Sequence, residues 1–377
     1  MNFSFSEDQT LLRNSVRAAL DEQCKPAHVR AMMEDERGYG EALWGEMAKL
    51  GWLGLPFAEE QGGAGLGLVE LALVLEEMGR AAYPGPYFAS VVLAGLGLQA
   101  GGSAAQQEKW LPAIASGQAR GTAALLEDSL DWDPAATTAT ATRTGAGFRL
   151  TGVKRFVPWA HVADVALVPA RAPEGVSLFL VDPRAAGVTL TPMVGIDLAT
   201  RWSEMSLDGA AAELMGPAGG AGPVLEGLLR RAAVGASAEM LGAARRCLDM
   251  SVGYAKVREQ FGQLIGSFQA IRHRCAEMLL EVEKAHAAVY YAAWALSAGA
   301  EDAAMAASVC KSFVSEAARQ VCGDAIQVHG GIGFTWEYDL HLYFKRAKAL
   351  EPLYGDAAYH RELLIRGQVL HSDKVGM

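Results

Sequence analysis

Apolar spacing divides the chain into helical ends and a middle where a two-residue alternation takes over. Ser6-Glu7-Asp8-Gln9 has the form of a capping box, and Leu12, Val16, Ala19 and Leu20 follow at helical steps. Further helices are predicted over 41–50, 68–78 and 91–98. From about residue 121 the texture is β: Thr137 to Thr144 alternates, Gly147-Phe148-Arg149-Leu150-Thr151-Gly152 opens a hairpin, and 165–168, 176–181 and 202–207 read as buried strands. The linker Gly216-Pro217-Ala218-Gly219-Gly220-Ala221-Gly222-Pro223 closes that region. Beyond it Ile271, Cys275, Met278, Val282 and Val289 keep to one stripe, and segments near 224–256, 268–297, 302–328 and 355–370 predict an antiparallel four-helix bundle. The expected fold class is α+β multidomain: an all-helical domain over 1–120, a small β-barrel or sandwich over 121–218, and the bundle over 219–377.

A chain of 377 residues is too long for one ordinary core, and 51% hydrophobic with 20% charged residues describes a globular protein. A formal charge of −10 speaks against nucleic acid or an anionic membrane as partner. Cys24, Cys247, Cys275, Cys310 and Cys322 are scattered and odd in number, which predicts reduced cytoplasmic thiols without a metal cluster. His273 and His286 share a helix but have no second ligand at metal spacing. The start of the chain, Met1 to Asp8, has neither a basic n-region nor an apolar h-region, so a cytoplasmic location is expected. The apolar run around 90–98 is too short to span a bilayer.

Candidate chemistry concentrates near the carboxyl end. Gln327-Val328-His329-Gly330-Gly331-Ile332-Gly333-Phe334 ends the helix marked by Val314, Ala318, Val321 and Ala325. Its glycines allow positive φ and bare backbone N–H groups, which suits a flat or anionic ligand such as a diphosphate, or simply a helix cap. His329 is expected to pack beside this turn. A second cluster, Arg258-Glu259-Gln260-Phe261-Gly262 with Phe268-Gln269 after it, offers a guanidinium fork for phosphate and a ring for adenine. The glycine run Glu59-Glu60-Gln61-Gly62-Gly63-Ala64-Gly65 lacks the preceding strand and following lysine of a phosphate loop and reads as a turn. Trp336-Glu337-Tyr338-Asp339 is expected to begin the next short helix.

The two carboxyl-terminal clusters resemble the R-x-x-F-G and Q-x-x-G-G-x-G flavin motifs of the acyl-CoA dehydrogenase family, and the helical, β, helical order is similar to that family's three domains. The resemblance runs through nearly the whole chain. It implies FAD as cofactor, its adenosine-diphosphate half held across a subunit interface by Arg258, Gln260, Phe261, Phe268, Gln269, Gln327, Val328, Gly330 and Gly331. It also implies a tetrameric assembly, α,β-desaturation of an acyl-CoA thioester, and electron-transfer flavoprotein as acceptor. Such chemistry requires a carboxylate base, a polarised thioester carbonyl and exclusion of water.

The base is where the chain departs from the pattern. Relatives carry a glutamate before a glycine-threonine pair; the matching segment Glu351-Pro352-Leu353-Tyr354-Gly355-Asp356 has Tyr354 there, and a phenol of ordinary pKa about 10 is a poor base. Arg231-Ala232-Ala233 stands where other relatives place it. In the barrel, Leu126-Glu127-Asp128-Ser129-Leu130-Asp131-Trp132-Asp133 replaces T-E-P-G-x-G-S-D, its carboxylates expected to repel a diphosphate, and Phe156-Val157-Pro158-Trp159 replaces W-I-T-N. Motifs for the nucleotide tail are kept while the seat of the ring and the base are missing. That pattern resembles the smaller, base-lacking subunit of heteromeric bacterial acyl-CoA dehydrogenases that act on bulky thioesters such as steroid side chains. Three arrangements follow: a heteromer with a second acyl-CoA dehydrogenase subunit, a self-sufficient homo-oligomer whose base is Glu239 or Asp356, or a non-catalytic scaffold. Otherwise Glu239 is expected to pair with Arg245, Arg246 or a neighbouring helix, and Asp356 to cap the last helix.

Overall fold

The computed structural model describes residues 5–145 and 147–375, with side chains through residue 367. Residues 1–4, on which part of the export-signal reading rests, lie outside the described residues. Ser6 Oγ accepts from Gln9 N at 3.1 Å while Gln9 Oε1 accepts from Ser6 N at 3.0 Å, so the capping box starts α1 (Glu7–Gln23) as expected. Next come α2 (Pro26–Glu34), which the periodicity did not reveal, α3 (Glu41–Lys49) and α4 (Leu68–Arg80). The buried helix expected over 91–98 is a π-helical stretch, Phe88–Gly95, running into α5 (Leu96–Gly101). α6 (Ala104–Ala115), also not revealed by the periodicity, is started by a second capping box, Ser103 with Gln106, and has Pro112 inside it.

The strands are β1 (Gly121–Ala123), β2 (Thr140–Thr144), β3 (Gly147–Pro158), β4 (Val165–Ala172), β5 (Gly175–Val181), β6 (Val188–Met193) and β7 (Trp202–Met215). They run in the order β1-β4-β2-β3-β7-β5, and β5 also pairs with β4, which closes the sheet into a barrel. Inside it Leu150, Val157, Val168, Phe179, Met205 and Leu207 are buried. β6, missed from the sequence, is a half-exposed strand on β7 in which Val188 and Leu190 alternate with exposed Thr189 and Thr191 before Pro192 ends the short pattern.

The chain ends with α7 (Ala221–Ala255), a small hairpin of β8 (Glu259–Gln260) and β9 (Gln263–Leu264), α8 (Gln269–Ala298), α9 (Ala303–His329), α10 (Leu340–Leu350) and α11 (Ala357–Val375). The short helix begins at Leu340 rather than Trp336, with Asp339 just before it.

Contacts divide the chain into two units: 1–29, 68–83 and 233–377 form one, and 30–67 with 84–232, barrel included, the other. In the first unit α4 and α7 touch backbone to backbone. A Cβ on Gly79 would stand 1.9 Å from the Glu239 carbonyl oxygen, and one on Gly242 would stand 1.8 Å from that of Glu76. Among the described residues the five cysteines are free, no group of His, Cys, Asp and Glu could hold a metal ion, and no helix is long and apolar enough to cross a membrane.

Candidate functional site

In the first unit, Phe261 (φ +55) and Gly262 (φ +79) form a two-residue turn between β8 and β9. Two consecutive positive φ values are the geometry of a type I′ hairpin turn, where asparagine or glycine is usual. A phenylalanine there is strained, and its ring is 92% exposed, touching Phe268 only edge-on with centroids 6.2 Å apart. Arg258 and Gln260 are exposed beside it, and Arg258 enters no ion pair among the described residues. Gln269 opens α8 and is exposed. At the end of α9, Gln327 is exposed and Val328 buried, and Gly330 takes φ +64, ψ −139, a conformation open essentially to glycine alone. A Cβ at Gly262, Gly330 or Gly331 would meet nothing within 4 Å, so the backbone there is bare. His329 donates from Nδ1 to the Ala325 carbonyl at 2.7 Å and stacks on Tyr254 at 4.4 Å, beside the glycine turn as expected. An exposed guanidinium, an exposed ring and open glycine backbone fit the adenosine-diphosphate half of FAD.

The base position lies in the same unit. Tyr354 is 5% exposed, with φ +60, and burial, followed by the nearby Glu239, pushes its hydroxyl well above the ordinary phenol range. It cannot take a proton from a thioester at neutral pH. Glu239 is 7% exposed, and its Oε2 lies 3.5 Å from Arg346 Nη1. Of the partners expected for it, neither Arg245 nor Arg246 is the one found: Arg245 Nε donates to Glu76 at 3.0 Å and its Nη1 to Glu283 at 3.3 Å, while Arg246 meets Tyr343. The Glu239 charge is thus matched by α10, and Arg346 is itself held by the Tyr83 carbonyl at 3.1 Å. Asp356 is exposed and accepts from Tyr359 N at 2.8 Å, the side-chain cap expected at the start of α11.

In the second unit, the segment replacing the family's barrel motif uses its acids on itself. Glu127 accepts from Lys154 Nζ at 2.6 Å, from Thr138 N at 2.8 Å, from Ala139 N at 3.1 Å and from the Thr138 hydroxyl. Burial works to raise its carboxyl pKa, but the bonds from Lys154 and Thr138 outweigh that and hold it below the ordinary value. Asp128 pairs with Arg155 at 2.6 Å, Asp131 accepts from Asp133 N at 2.9 Å, and Asp133 accepts from Ala135 N at 2.8 Å. The expected repulsion is therefore blunted, since these charges are spent on two ion pairs and local turns. With Leu225 and Leu229, residues of the segment line a small open cleft. Pro158 is buried and its carbonyl accepts from the Thr122 hydroxyl, so no side-chain hydroxyl is presented there. Arg231 is half-buried and bonds the Gly227 carbonyl at 3.1 Å.

Sequence reasoning missed Glu76, Glu77, Arg346 and Lys311, all buried. Lys311 was detectable in principle, as a lone cation within the apolar stripe of Ala307, Cys310 and Val314. The partners of the others are set by how helices meet.

The helical amino end, closed barrel and helical carboxyl end with its flavin motifs define an acyl-CoA dehydrogenase. Models of that family match as "Acyl-CoA dehydrogenase, N-terminal domain" over 6–118, "middle domain" over 127–210 and "C-terminal domain" over 219–369. The chain belongs to the acyl-CoA dehydrogenase family. It is 34% identical over 351 residues to acyl-CoA dehydrogenase IpdE2 of Mycolicibacterium smegmatis, covering 93% of this chain and 95% of that one. It is 32% identical to acyl-CoA dehydrogenase FadE27 of Mycobacterium tuberculosis, covering 95% and 96%. Among solved structures, the ChsE4-ChsE5 complex from Mycobacterium tuberculosis matches with TM-score 0.89 and 31% identity, covering 98% of this chain and 99% of that chain. The protein is an acyl-CoA dehydrogenase flavoprotein, an oxidoreductase acting on CH–CH bonds. Its cofactor is FAD, which supplies the two-electron acceptance that no side chain provides.

Proposed function

We propose that this chain is one subunit of a heteromeric acyl-CoA dehydrogenase. In this reading Arg258, Gln260, Phe261, Phe268, Gln269, Gln327, Val328, Gly330 and Gly331 grip the adenosine-diphosphate end of FAD. A second acyl-CoA dehydrogenase chain seats the ring and supplies the base, the substrate is an acyl-CoA, and electron-transfer flavoprotein takes the electrons. The observation that carries this is the side chain at position 354, a buried tyrosine whose proton is held too tightly for base catalysis. Glu239 and Asp356, the two relocated candidates, are engaged by Arg346 and by the α11 cap, which favours a base supplied from outside. The strained Phe261 ring, 92% exposed and met only edge-on by Phe268 among the described residues, supports a partner surface. Among similar solved structures is the ChsE4-ChsE5 complex, named for two different components.

The test is visible absorbance of the purified chain made alone and made beside an adjacent dehydrogenase chain. Flavin bands in the co-expressed complex alone are expected, with flavin content falling when Phe261→Ser or Arg258→Ala is introduced here. A stoichiometric flavin and turnover in the isolated chain would overturn the heteromer. A complex that binds no flavin would instead make the chain a scaffold.

A further inference from the structure

Beneath the loop that carries Tyr354 lies a lysine that no role above accounts for. Lys311, on α9, is 0% exposed, and its Nζ lies 3.0 Å from Ser315 Oγ, 2.8 Å from the Glu351 carbonyl oxygen and 2.9 Å from the Gly355 carbonyl oxygen. The Ser315 hydroxyl has one proton, and it goes to the Lys311 carbonyl at 2.7 Å. Ser315 Oγ must therefore accept from Nζ, as the two carbonyls must. Three acceptors need three N–H groups, which only the ammonium form supplies. From the other side His360 Nε2 donates to the Tyr354 carbonyl at 2.9 Å, and its Nδ1 accepts from the Ser308 hydroxyl at 3.2 Å. Three carbonyls of one short segment are thereby held by two buried side chains.

The segment needs holding. Tyr354 (φ +60) and Gly355 (φ +95) are consecutive left-handed residues, a conformation that costs a bulky side chain on the order of 1–2 kcal/mol. A Cβ on Gly355 would lie 2.3 Å from the Tyr359 ring and 2.9 Å from His360 Nε2, so the chain passes here only as glycine. The Glu351 carbonyl is also one of the last of α10, which has no partner within its own helix.

We propose that Lys311 is a positioning residue for the segment on which relatives carry their catalytic base: as an ammonium ion it fixes the carbonyls of Glu351 and Gly355 and, with His360 on Tyr354, sets the backbone at 354 whatever side chain stands there. Every group involved lies on this chain, so this does not depend on a heteromer.

The clamp is sensitive to pH. Burial lowers the Lys311 pKa to about 7, opposed by Cys310 on its own helix and by Asp356 and Glu351 from the loop. The Glu351 carboxylate is shared with Lys348 and Arg319 on the surface, and His360, from α11, is neutral because burial lowers its pKa to about 4. Losing the Lys311 proton removes one donor of three.

Hydrogen exchange by mass spectrometry on the full chain, corrected for intrinsic rates, tests this from about two units below to two units above neutrality. Residues 351–359 should be protected at low pH and exchange roughly tenfold faster above a single-proton midpoint. Lys311→Met should exchange fast at every pH. Should that variant not fold, Ser315→Ala decides: with only two acceptors left, the neutral amine is favoured and the midpoint should move to lower pH. Protection without a pH step, or a midpoint unmoved in Ser315→Ala, would overturn the proposal.

Discussion

Replacing Arg346 with methionine separates the two roles open to Glu239. The ion pair at 3.5 Å has side chains 5% and 9% exposed, so water does little to screen it. Losing Arg346 leaves a buried carboxylate without its counter-charge, at a cost of about 3–5 kcal/mol. At 1.36 kcal/mol per power of ten, the folding constant falls by roughly two to four orders of magnitude. Glu239→Gln leaves Arg346 its bond to the Tyr83 carbonyl and should cost less. The double variant Glu239→Gln with Arg346→Met should recover most of the loss, because removing both charges is often near neutral. Urea unfolding measures all four corners of this cycle, with a midpoint shift of roughly 1 M expected for Arg346→Met. A coupling below about 0.5 kcal/mol would refute the pairing. Should Glu239→Gln instead abolish turnover of the assembled enzyme with stability unchanged, Glu239 is the base after all.

In the barrel, Lys154→Met should destabilise by about 3–5 kcal/mol in thermal unfolding, since Lys154 is the buried partner of Glu127. Because the Glu127 pKa is held below its ordinary 4.5, its contribution is complete above that value and is lost as pH falls through the folded pKa, and Glu127→Gln should flatten that acid limb. Gly79→Ala should lose about 3 kcal/mol or more by forcing α4 off the Glu239 backbone, whereas Gly253→Ala, with open space around it in α7, should gain up to about 1 kcal/mol; urea midpoints of the pair decide this. Asp356→Ala should cost about 1 kcal/mol of stability in the same assay without loss of turnover by the assembled enzyme, and a turnover loss would return Asp356 to the list of bases.

Local chemistry was legible in the residues themselves. The Ser6 capping box, the α8 stripe of Met278, Val282 and Val289, the β2–β3 hairpin and the glycine end of α9 each depend on neighbours a few positions apart, and each formed where its pattern stood. The Arg258–Gly262 cluster and the glycine turn at 330–331 were equally plain, because positive φ and bare backbone demand particular residue types in sequence. What the sequence left open were encounters between distant helices. Glu239 sits near Arg245 and Arg246 along α7 but meets Arg346 from α10, and Lys311 reaches carbonyls around Tyr354 that carry no mark in the sequence. Helical periodicity says which face of a helix is buried, but not which residue of another helix will lie against it. That choice is made by how the helices cross, and here the Gly79 and Gly242 contacts fix the approach of α4 to α7.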